Sequence, residues 1–175
     1  MPETPDTDPT RIVADADVLV ADLIAGGSKT EESETGGDPE SGTAARGALD
    51  AIRSHSWLDL LASDQLLDDA EAVIAELADA DLAAAWRERI DEERVAVDHP
   101  AGDHPALASA YRGKAAHVLS YDEGLRGPAA SASFGSRLNL SVKTPAGFVA
   151  LFDAESLYEA AEDGEYSGPD RDPRT

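Results

Sequence analysis

Apolar positions along the chain alternate between short continuous runs and longer stretches with helical spacing. The runs predict strands at residues 11–15, 58–62, 95–97, 117–120 and 138–142. The spaced stretches predict helices at 18–25, 44–56, 81–93 and 104–114, and a last one in GFVALFDAESLYEAA. Ser63 has the character of an N-cap for DQLLDDAEAVIAEL, whose Leu66, Leu67, Ala70, Val73, Ile74 and Leu77 share one face. Strand followed by helix, repeated, predicts a three-layer α/β/α fold around a mostly parallel sheet of four to five strands.

Two stretches break the pattern. Residues 26–43, GGSKTEESETGGDPESGT, carry no aliphatic or aromatic side chain and predict a mobile loop. Residues 1–10 and the acidic tail 161–175 read as flexible, leaving one domain over 11–160. No run of about 18 apolar residues suggests a membrane span, and the acidic start lacks a signal pattern, so a soluble cytoplasmic protein is expected.

Charge changes the picture in one respect. The chain has 36 acids, 14 bases and a net charge of -22, with Lys29, Lys114 and Lys143 its only lysines. It has no cysteine, which excludes disulfides and thiolate metal sites. This acidic, lysine-poor, alanine-rich composition resembles that of proteins from salt-loving archaea. At molar salt the Debye length is about 3 Å, so net charge says little against a polyanionic ligand.

The candidate chemistry lies where strands end. Asp15 and Asp17 interrupt the apolar run RIVADADVLV, and burying a carboxylate is costly without a compensating partner. Asp68 and Asp69 follow the second predicted strand. Asp98 ends the third, with Asp103 beyond it, and Asp122 follows the fourth. In parallel sheets these ends share one rim. Each acid also has a plain local role: Asp103 as an N-cap, Asp69 near a helix N-terminus, Asp122 in a turn. Together they would repel, and a hard divalent cation with oxygen ligands would relieve that repulsion. His99 and His104 match no zinc spacing and read as structural.

These stretches resemble the PIN domain, a metal-dependent nuclease family. RIVADADVLV is similar to its first strand, LLASDQLLDD to its second strand and helix, GDHPALASAYRGKAAHVLSYDEGL to its acid, helix, strand and following acid, and KTPAGFVALF to its closing strand and helix. The resemblance covers roughly residues 11–152. It implies an endoribonuclease using Mg²⁺ or Mn²⁺, with ligands at Asp15, Asp103 and Asp122 and a fourth acid on the second helix. Helix geometry favours Asp69 there over Glu76, because both flank the core but Asp69 is nearer the strand end. Asp17 and Ser120 would support the site. Asp17 stands where the family has asparagine, Ser120 where it has threonine, and Tyr121 where it has glycine. RNA is the implied partner, with a protein antitoxin or a second copy as further ones. Arg11, Arg112 and Arg126 are candidate phosphate contacts.

Two other functions fit parts of the chain. One is a PIN-like binding or scaffold module without catalysis. The other is a haloacid-dehalogenase-type phosphatase, whose first motif DADVL resembles. Lys114 then precedes only the single Asp122, and no Gly-Thr follows DADVL.

Overall fold

The first strand, β1 (Asp8–Ala14), is the apolar run of the sequence, and Ile12 and Val13 within it are wholly buried. The computed structural model describes residues 6–27, 39–98, 104–127 and 140–173. β1 begins three residues before the predicted strand, inside the expected flexible start, because Asp8 pairs with Ala115. It also ends sooner. The strand stops at Ala14, with the Asp15 amide making a last bond to the Leu119 carbonyl at 2.8 Å, and Ala16 opens helix α1 (Ala16–Gly27). Val18 and Val20 are therefore helical despite β-branched side chains.

The chain continues through α2 (Pro39–Arg53), β2 (Asp59–Ala62), α3 (Asp64–Leu77), α4 (Ala80–Glu93), β3 (Val95–Ala96), α5 (Pro105–Gly113) and β4 (Ala115–Leu119). It ends with α6 (Glu123–Arg126), β5 (Ser141–Lys143), α7 (Pro145–Leu151) and α8 (Ala154–Ala161). Of the predicted mobile loop, residues 26–27 and 39–43 are helical, and 28–38 lie outside the described residues.

The five strands form an all-parallel sheet in the order β3-β2-β1-β4-β5. Helices flank it in three layers. α5 packs on β1, β2 and β4, while α1 lies against α2 and α3, and α2 against α7. A central parallel strand covered on both faces has to be apolar there, and the carboxyl-terminal halves of β1 (Ile12, Val13, Ala14) and β4 (Val118, Leu119) are.

Helix starts follow the sequence closely. Ser63 caps α3 by accepting the Leu66 amide at 3.2 Å, and Asp79 caps α4 by accepting the Leu82 amide at 2.7 Å. The expected apolar face of α3 is narrower than its pattern. Leu66, Leu67, Ala70 and Ile74 are buried, but Val73 and Leu77 are exposed. The predicted last helix is two. Phe152 has extended backbone and Asp153 caps α8, accepting the Ser156 amide at 3.1 Å. Phe148 is buried, whereas Leu151 points to solvent.

The acidic tail, expected to be flexible, lies against the α2–β2 connection. The Tyr166 hydroxyl is 2.7 Å from His55 Nε2, and Asp170 Oδ1 accepts the Ser56 amide at 2.7 Å. A second fastening joins helices on the other side. Arg53 meets Asp22 of α1 through both terminal nitrogens, at 3.2 and 2.9 Å, and Glu93 of α4 at 2.9 Å.

Candidate functional site

All five strands run the same way, so their carboxyl ends form one rim. Asp15 occupies the hinge between β1 and α1. Its carboxylate is only 8 % exposed, so its hydrogen bonds decide whether it is tolerated there. The Ala16 amide donates to Oδ1 at 2.8 Å, and the Ser120 hydroxyl donates to Oδ2 at 2.8 Å. Ser120 is wholly buried at the end of β4. Its oxygen in turn accepts the Asp122 amide at 3.0 Å, so one hydroxyl joins residues from two strand ends. The Ser120 amide donates to the Lys143 carbonyl at 2.9 Å, which ties β5 into the same corner.

Asp17 lies in the first turn of α1 and accepts the Tyr121 amide at 3.2 Å. Its side chain keeps contact with solvent, yet its carboxyl is pushed up to about 6. Partial desolvation is the largest cause, followed by the charge of Asp15, with a smaller push from Asp122. Hydrogen bonds from the Tyr121 and Val18 amides act the other way. Asp122 is exposed, and its Oδ1 accepts the Gly124 amide at 2.8 Å to open α6. Asp15, Asp17, Ser120 and Asp122 thus form one corner.

The other predicted residues are placed differently. Asp69 is exposed on α3, where its Oδ1 accepts from Gln65 Nε2 at 3.0 Å. It follows the helix start by five residues, about 7.5 Å of axial rise, whereas Glu76 is about 18 Å along and also exposed. Asp68 is turned outward and pairs with Arg87 at 2.6 Å. Asp103 and His99 lie outside the described residues. His104 caps α5, its Nδ1 accepting the Ala106 amide at 3.2 Å, which is a structural role. Among the described residues no group of three or more His, Asp or Glu is arranged to hold a metal ion.

Of the three candidate arginines, Arg11 is midway along β1, four residues before Asp15, donating to the Gly113 carbonyl at 3.0 Å and facing Asp8 and Asp59. Arg112 is exposed on α5. Arg126 lies beside the acidic corner, reaching the Tyr121 carbonyl at 3.5 Å, and its Nε is buried without a partner among the described residues.

Residues 37–174 match DUF7384, a family of unknown function. The chain belongs to DUF7384. The matched range includes Asp69, Asp103, Ser120 and Asp122, while Asp15 and Asp17 precede it. No curated protein and no solved structure matches the chain. Among the described residues no helix is long and apolar enough to cross a membrane.

Sequence reasoning missed a cleft beside this corner, floored by His117 of β4 and Lys143 of β5 and walled by α7 and α8. Its lining comes from segments too dispersed for a motif. The one available signal was Lys143 itself, a rare lysine at a strand end.

Proposed function

We propose that this DUF7384 protein is a nuclease dependent on Mg²⁺ or Mn²⁺ that hydrolyses RNA phosphodiesters. The observation that carries this is the Ser120 hydroxyl holding buried Asp15 while accepting the Asp122 amide, between strand ends 105 residues apart. The PIN-like order of motifs in the sequence supports the same activity. The donor chemistry suits a hard cation. Each Asp15 oxygen accepts one protein hydrogen and keeps a further lone pair, and the carboxylates of Asp17 and Asp122 stand at the same corner. Asp15 and Asp122 would hold the ion, with Asp103 or Asp69 completing the set. When bound, the ion supplies an activated water and neutralises charge on the phosphodiester.

The remaining work falls to the chain. Ser120 fixes the direction of the Asp15 carboxylate, a partner role that in metal sites is worth about 10–100-fold. Asp17 accepts the Tyr121 amide and so holds the segment before Asp122 against α1. Arg126 supplies a cation for the phosphate, and the Tyr121 ring a surface for a base.

The test is RNA cleavage in molar KCl with Mn²⁺, beside a Mn²⁺ thermal shift. Wild type should cleave and gain stability, Asp15→Asn and Asp122→Asn should lose both, and Ser120→Ala should fall between, about 10–100-fold down. Variants that cleave as wild type does would sink the proposal.

A second function has its own support. Asp17 and Tyr121 stand where the resembled family has asparagine and glycine, and the second-helix acid is irregular, which favours a PIN-like binding module without catalysis. In that case Asp15→Asn raises thermal stability by removing repulsion, and Mn²⁺ changes nothing.

A further inference from the structure

The cleft under α7 and α8 adjoins the acidic corner, to which Lys143 is joined only through its carbonyl, and has a chemistry of its own. Its volume of about 330 Å³ is at the lower end of the range of small-molecule sites. The floor is polar. Lys143 Nζ lies 3.5 Å from His117 Nδ1, and among the described residues no carboxylate comes within ion-pair distance of that ammonium. His117 is half-buried, and burial, with Lys143 second, pushes its ring down to about 4. The walls are apolar. Phe148 and Phe152 stack with centroids 5.2 Å apart, and Leu157 continues the surface.

A chain with a net charge of -22 thus leaves, in a largely apolar cleft, a half-buried lysine with no carboxylate at ion-pair distance among the described residues. At contact range in a low-dielectric site, one ammonium attracts an anion strongly, whereas the distant surface charges are screened at high salt. The site also limits how much negative charge it takes. Asp153 lines the cleft, and hydrogen bonds from the Ser156 amide and hydroxyl hold its carboxyl low, so it stays ionised. A cleft lined by one lysine and one fixed carboxylate favours a monoanion over a dianion.

We propose that this cleft binds a small apolar monocarboxylate, with Lys143 taking the carboxylate and Phe148, Phe152 and Leu157 enclosing the hydrocarbon body. The site does not depend on the nuclease activity.

The experiment titrates the full chain, in roughly 2 M KCl to screen surface charge, with phenylacetate, neutral phenylacetamide and phenyl phosphate. Calorimetry gives affinity, and the His117 ring resonances give location. Phenylacetate should saturate and shift His117, with the amide and the phosphate each at least about tenfold weaker. Lys143→Met should weaken phenylacetate by about tenfold or more, and Lys143→Arg should stay within about threefold of wild type. Equal binding of acid and amide, a His117 ring that phenylacetate leaves unmoved, or undiminished binding by Lys143→Met overturns the proposal. Should Lys143→Met fail to fold, the preference of wild type for acid over amide decides alone.

Discussion

Asp15 is tolerated in the interior because two donors reach it, and its charge adds to the partial desolvation that raises the Asp17 carboxyl. In buffer free of divalent ions, the Asp17 carboxyl should titrate near pH 6, against a reference of 3.8. The sign follows from linkage. A carboxyl whose folded pKa is raised destabilises the fold when ionised, so the penalty is complete above about pH 6 and gone below the unfolded value. Lowering the pH through that window should therefore relieve this one repulsion. Carboxyl carbon NMR would show it, and Asp15→Asn should move the Asp17 midpoint down. A midpoint near 4 in wild type would contradict the crowding. At this scale the sequence was informative about Asp15 and Asp122, because acids inside or just after apolar runs stand out. It was less so for Asp69, since helical spacing places a residue on a flank without saying whether a neighbour covers that flank.

Elements were legible where their ends carry chemistry. Ser63 announces α3, and its hydroxyl bonds as a cap does; Asp79 caps α4 in the same way, one residue before the helix and two before its expected start. The α7–α8 break was hidden because apolar spacing continues across it, and Asp153 looks equally at home inside a helix or before one. The tail was missed because only Tyr166, packed among His55 and Tyr158, holds it by an aromatic ring. Also invisible beforehand was the joint between α1, α2 and α4. Asp22 is nearly buried, its carboxyl raised by desolvation against the pull of Arg53, while the arginine is held above its ordinary range by Asp22 and Glu93. Arg53→Met should cost about 3–5 kcal/mol in chemical denaturation, because Asp22 is left buried and uncompensated. The double variant Asp22→Asn with Arg53→Met should recover part of that loss. Additive losses would show that the pair does not act as a unit.

For the whole molecule, alternation of strand and helix was enough to predict a parallel three-layer sheet, but not the cleft, which draws on residues 117, 143 and 148–160 at once. Charge acts at this scale too. With a net charge of -22, self-repulsion opposes compaction, so raising KCl from dilute to molar should raise the melting temperature. Calorimetry should show a rise of roughly 2–4 °C for each kcal/mol relieved, and a flat response would mean the surface charges are already balanced locally. The strand order has one more consequence, for biosynthesis. β1 is the central strand, yet one of its two neighbours, β4, is made about a hundred residues later. While the ribosome is still producing α5, the nascent chain presents β1 with a bare hydrogen-bonding flank, an invitation to mispair with another polypeptide that ends only when β4 emerges and docks.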